Sequence, residues 1–145
     1  VSSIWAERAR AWIGTPYLHQ QSLKGVGTDC LGLLRGVWRE GIGAEPVVVP
    51  AYTQDWSEAA RDERLWRAAA CHLVEKPVRA LASGDVILFR MRNGAVAKHL
   101  GIVGADRPSA SFIHAYSGHG VVESALTPPW QRRIVACFAF PEGEN

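Results

Sequence analysis

The hydrophobic period changes once along this 145-residue chain, and that change restricts the fold more than any other feature. As far as His72 the apolar residues recur at helical spacing. From Val86 onward they fall in short strand-like runs separated by turn residues. In residues 4–13, Trp5, Ala9, Trp12 and Ile13 share one side, with arginines and Glu7 on the other, and Gly14-Thr15-Pro16 ends the helix. Residues 15–29 read as a loop. Residues 30–40 read as a second helix with Leu33, Leu34, Val37 and Trp38 as its buried stripe, stopped by Gly41 and Gly43. Gly32 and Gly36 are poor helix formers, and their presence there predicts close packing against another backbone. Asp55 and Glu58 have capping-box spacing ahead of a third helix over 57–72. Strands are expected at 86–89, 99–103, 111–116, 120–124 and 134–140. Helices followed by an antiparallel meander make an α+β fold, with the N-terminal helices packed on a small antiparallel β-sheet. With no internal repeat and no low-complexity segment, residues 1–145 read as a single domain.

Composition narrows the function classes. Of the residues, 48% are apolar and 21% charged, which supports one hydrophobic core under a polar surface. A formal charge of +2 is too small to argue for nucleic-acid binding, and no apolar run is long enough to cross a membrane. Residues 1–8 lack the charged-then-apolar pattern of a signal peptide. The expectation is therefore a protein made in the cytoplasm, which acts there or is carried out by something else.

Three cysteines give no paired spacing and no disulfide framework. Cys71, in an alanine-rich helical stretch, and Cys137, between apolar residues, read as buried small hydrophobes. Cys30 differs. It stands where the glycine-rich loop Gly27-Thr28-Asp29 runs into a helix. A cysteine in the first helical turn lies near the positive end of the macrodipole, a field that favours the nucleophilic thiolate.

Two histidines answer it downstream. If the turn at residues 104–109 is centred between Asp106 and Arg107, residues whose numbers sum to 213 face each other, and His99 meets His114. Directly opposed side chains of an antiparallel pair share a face. Gly101, Val103, Phe112 and Tyr116 would be their neighbours there. One imidazole would then orient the other, as the third member of a catalytic triad does. The next turn places Glu123 roughly opposite His114, either as a further orienter or, by the blander reading that is favoured, as a solvated edge carboxylate. His119 at its glycine-flanked tip reads as exposed, and His19 and His72 have no such geometry. No close ligand pair such as CxxC or HxxxH supports a metal site.

Five blocks occur in order: Gly14-Thr15-Pro16-Tyr17, Asp29-Cys30-Leu31-Gly32-Leu33, Ser83-Gly84-Asp85-Val86, His99-Leu100-Gly101-Ile102-Val103 and Phe112-Ile113-His114-Ala115. Together, from about Trp12 to Val122, they resemble the NlpC-type cell-wall cysteine peptidases. The resemblance implies a minimal papain-like α+β domain that cuts peptide bonds in peptidoglycan stem peptides, typically between D-glutamate and a diamino acid. It implies Cys30 as nucleophile, His99 as general base and His114 as the polar third member. It also implies Tyr17 as an oxyanion group, joined by the backbone N–H of Cys30, and Asp29 as a ligand for the substrate's free amine. Neither metal nor organic cofactor is implied.

Two departures stand out. Leu31 replaces the serine that usually follows the nucleophile, and His19-Gln20 replaces the usual glycine pair after the tyrosine. Both, with the form Asp-Cys-Leu-Gly-Leu, resemble the branch encoded with phage tails and phage-like particles, including gene transfer agents. That branch implies a tail-tip enzyme with particle or baseplate partners, opening the wall locally and acting in the target cell's periplasm. The alternatives are an amidase or acyltransferase on the same fold, and a tail-assembly module with a vestigial site.

Overall fold

The computed structural model describes residues 3–46, 64–91 and 97–141. Helix α1 spans Ile4–Arg10 and is capped by the Ser3 hydroxyl, which accepts from the Ala6 N–H at 3.1 Å. Its Trp5, Ala6 and Ala9 are buried. The expected helix to Ile13 stops a turn early, and Ile13 is largely exposed. A two-stranded hairpin, β1 (Ser22–Leu23) and β2 (Gly27–Thr28), occupies the segment read as a loop. Helix α2 spans Cys30–Gly41.

Both of its internal glycines are places of contact. A Cβ on Gly32 would stand 2.0 Å from the Gln21 carbonyl oxygen, and one on Gly36 would stand 2.0 Å from the Trp12 ring. The expected backbone approach is therefore real at Gly32. At Gly36 the partner is an indole instead.

Helix α3 is described over Arg64–His72, and the Asp55/Glu58 capping box lies outside the described residues. Leu65 and Ala69 form its buried stripe, continued by Leu73 just beyond its end. Cys71 falls between those positions on the opposite side and is exposed, so the expectation of a buried residue fails there. Cys137 is buried as expected.

The remaining strands are β3 (Val74–Lys76), β4 (Val86–Arg90), β5 (Ala97–Val103), β6 (Ser111–Tyr116), β7 (Gly120–Ala125) and β8 (Ile134–Ala139). They form one antiparallel sheet in the order β3-β8-β4-β5-β6-β7. A short helix, α4 (Pro128–Gln131), precedes β8; neither it nor β3 carries an apolar period long enough to be read from sequence. Trp5, Trp12, Leu33 and Val37 pack on one face of the sheet against Val86, Leu88, Leu100, Ile102 and Ile113. Ile87, Phe89, Val103, Phe112 and Cys137 fill the other face beneath Leu81, Leu126 and Trp130. Burial on both faces explains why β4 is an unbroken apolar run rather than an alternating one.

The β5–β6 register differs from expectation. Ile102 faces Ile113 and Val103 faces Phe112, so partners sum to 215 and not 213. The connecting loop closes later because Asp106 is drawn to the Ser83 N–H and the Ser111 hydroxyl takes the Ala105 N–H. The shift is two residues, a full side-chain period, so every residue keeps its face.

Candidate active site

Cys30 owes its place to Asp29. The Asp29 carboxylate caps α2 by accepting from the Gly32 N–H at 2.8 Å, and its second oxygen accepts from the Gln20 N–H at 2.7 Å. His19 stands 3.8 Å from that second oxygen. Asp29 is only 3% exposed, and it ties the loop that carries Tyr17 to the helix that carries Cys30. Tyr17 in turn bridges to Thr28 and packs against the helix-side core.

The sulfur of Cys30 lies 3.8 Å from the Lys98 carbonyl oxygen. The strand pairing explains why it fits. Val103 exchanges both its backbone hydrogen bonds with the Gly84-Asp85 side, so odd positions of β5 turn toward β4 and even positions toward β6. The described pairing of β5 with β6 comprises only Ile102–Ile113 and Val103–Phe112. At Lys98 and Leu100 the strands have diverged, and Cys30 takes the place of the missing ladder. It receives the Leu100 N–H and abuts the Lys98 carbonyl, the two peptide groups that flank His99.

The His99 ring sits among Phe89, His114, Tyr116 and Trp130. Nε2 of His99 is 2.9 Å from Nδ1 of His114, and Nε2 of His114 is 2.9 Å from the Ser124 hydroxyl. The expected pair is thus in contact, diagonally rather than directly opposed. Glu123 is not opposite His114, which faces Val122. Glu123 instead binds Arg10 at 2.9 Å and the Ser111 hydroxyl at 2.6 Å, clamping α1 to the edge of the sheet. The partner of His114 is Ser124, which had no motif to announce it.

Aromatic rings enclose the histidines. Trp130 of α4 lies 5.9 Å from the His99 ring and 5.4 Å from that of His114. Phe89 and Tyr116 complete the wall, and the exposed His119 stacks on Tyr116 at 5.0 Å. Trp130 was not legible as a site residue, because only the turn through α4 brings it there.

Burial dominates the electrostatics. It pushes the Cys30 thiol up to about 12, helped by the nearby charge of Asp29 and opposed by the N–H groups of Leu100, Leu31 and Cys30 itself. It lowers His99 to about 3, with His114 adding to the effect, and His114 to about 4, with His119 adding. Desolvation thus acts against the helix field expected to favour thiolate, pulling the pair toward thiol and neutral imidazole. Burial also raises Tyr17 to about 12, with Cys30 and Asp29 contributing, so its hydroxyl is a donor at neutral pH. Among the described residues no group of three His, Cys, Asp or Glu side chains could hold a metal ion.

A cysteine at the start of a helix, packed against a strand of an antiparallel sheet that carries a histidine pair, defines the papain-like α+β class. Within it the chain belongs to the NlpC/P60 family, whose model matches residues 14–138. Comparison with curated proteins gave no match. Solved structures share the fold. The NlpC/p60 domain of the peptidoglycan hydrolase SagA is 20% identical with a TM-score of 0.60, over 94% of this chain and 96% of that domain. A protein similar to lipoprotein of the NLP/P60 family from Staphylococcus aureus is 20% identical, with a TM-score of 0.60. An NlpC/P60 family protein from Bacillus cereus is 18% identical, with a TM-score of 0.62. Each match covers 94% of this chain, which spans only 40% of the length of the last two proteins.

Proposed function

We propose that this chain is a cysteine endopeptidase of peptidoglycan, cutting stem peptides or cross-links. The observation that carries the reading is the wedging of Cys30 between the peptide groups flanking His99, while the far nitrogen of His99 is held by His114. With Nε2 engaged by His114, Nδ1 of His99 is the nitrogen assigned to take the thiol proton. The sulfur attacks the scissile carbonyl, and the oxyanion receives the Tyr17 hydroxyl and the Cys30 N–H. On collapse the amine leaves with the proton from His99, and an acyl-thioester remains. Water, deprotonated by His99, adds to the thioester, and collapse returns the thiol. His114 orients His99 throughout. Asp29 is the acceptor for a substrate ammonium, through the oxygen it shares with the Gln20 N–H.

Leu31 bears on substrate choice. A serine hydroxyl there would bond an ammonium, whereas leucine cannot, so stems whose L-alanine amine is blocked by the glycan become acceptable. The sequence form around Cys30 supports carriage in the tail of a phage or phage-like particle, with baseplate proteins as partners and the target cell's periplasm as the place of action. Mass spectrometry of products from intact sacculi and from free tri- and tetrapeptide stems tests the reading. Cleaved stem peptides from sacculi, absent with Cys30→Ala, are expected. Release of whole stems from glycan would make the chain an amidase instead. Cleavage of free stems alone would refute the role assigned to Leu31. Proteomics of purified particles tests carriage.

A further inference from the structure

We propose that Ser124 is a positioning residue that fixes the tautomer of the histidine pair. Its hydroxyl oxygen accepts the Nε2 proton of His114 and thereby leaves Nδ1 of His99 bare to receive the proton of Cys30. The inference rests on the reading of His99 as the base and adds the group that prepares it.

His99 on β5, His114 on β6 and Ser124 on β7 stand on one face of the sheet, each diagonal to the next. Both links are 2.9 Å. His114 is fully buried, so both of its ring nitrogens are committed to these two partners. A neutral imidazole has one N–H and one acceptor nitrogen. The chain can therefore hold its protons in only two ways. In the outward arrangement, Nε2–H of His99 donates to Nδ1 of His114, and Nε2–H of His114 donates to Ser124. In the inward arrangement the serine donates to Nε2 of His114, Nδ1–H of His114 donates to Nε2 of His99, and Nδ1 of His99 carries a proton. The inward form cannot accept from a thiol.

The direction of the serine hydroxyl decides between them. Ser124 lies on the edge strand β7 and is only half-buried, so its own proton can turn to solvent while its oxygen accepts from His114. The neighbouring carboxylate of Glu123 does not compete, being bound to Arg10 and Ser111. Without the serine oxygen the outward form would leave the Nε2–H of His114 buried with no acceptor, which is the worse of the two losses, and the pair would revert to the inward form.

The test is nitrogen NMR on the full chain with 15N-labelled histidine at pH 7–8, which reads each tautomer from its two-bond couplings without substrate. Wild type is expected to show Nε2–H on both His99 and His114. Ser124→Ala should move both protons to Nδ1 and lower kcat about tenfold with KM unchanged. Ser124→Thr, which keeps the hydroxyl, should restore both readouts. Nδ1–H on His99 in wild type would overturn the proposal. So would a fall in kcat for Ser124→Ala with the tautomers unchanged, which is the mark of a merely structural role. The activity of His99→Ala tests the base reading separately, since the tautomers are measured without turnover.

Discussion

At the scale of single residues, the same desolvation that keeps His99 neutral keeps Cys30 a thiol. Both shifts favour attack concerted with proton transfer over a preformed thiolate. The ratio kcat/KM is expected to stay flat from pH 5 to 9, because His99 gains a proton only near 3 and Cys30 loses one only near 12. A rate profile with an acid limb near the ordinary histidine value of about 6.5 would show a thiolate–imidazolium pair instead. Cys30→Ala should abolish turnover, whereas Cys71→Ala, at an exposed position on α3, should leave it near normal. Muropeptide assays on the two variants check this. His114→Ala should lower kcat less than His99→Ala, since an orienter supplies only part of the base's effect, which is about 10²–10⁴ in rate. His114→Asn or His114→Gln should keep more activity than His114→Ala, as each can still accept from Nε2 of His99.

At the scale of elements, the nucleophile is set by how α2 meets its neighbours. Gly36→Ala would drive a methyl into the Trp12 ring, which is 1% exposed and has no room to move. A loss of ~1–3 kcal/mol is expected, read by denaturant melts, with kcat little changed in the protein that remains folded. Gly32→Ala meets the Gln21 backbone and the Thr28 hydroxyl instead, beside the Asp29 cap. It should displace the Tyr17 loop from the start of α2, and so lower kcat as well as stability. Equal loss of kcat in both variants would contradict this division. The hairpin of β1 and β2 was invisible in sequence because its strands have two residues each, too few for a period. It matters because it aims Tyr17.

For the whole molecule, desolvation of two neutral histidines, His114 buried and His99 partly buried, has a cost in acid. Above about pH 6.5 both are neutral, folded or unfolded, and contribute no pH dependence. Below that, the unfolded chain binds two protons that the folded one refuses until about 4 for His114 and about 3 for His99. Stability should therefore fall as pH drops from 6.5 toward 4, by at most about 2.7 kcal/mol per pH unit for two protons. Urea melts across that range measure the slope. His99→Asn combined with His114→Asn should flatten it, and an unchanged slope in that double variant would mean that other groups carry it.

The sequence by itself determined what local chemistry encodes. Periodicity located α1 and α2, the five strands β4 to β8 and the α+β order. The glycine-flanked Cys30 with its Asp29 cap is a local motif, and the face shared by His99 and His114 survives any two-residue error in register. Only the tertiary structure decided the rest. Whether the helix field or burial governs the thiol depends on how deeply Cys30 sinks beside Leu100. Ser124, Trp130 and the divergence of β5 from β6 depend on contacts between strands far apart in the chain. A side chain's spacing records which way it faces, but not what stands opposite it, because loop length and packing set that.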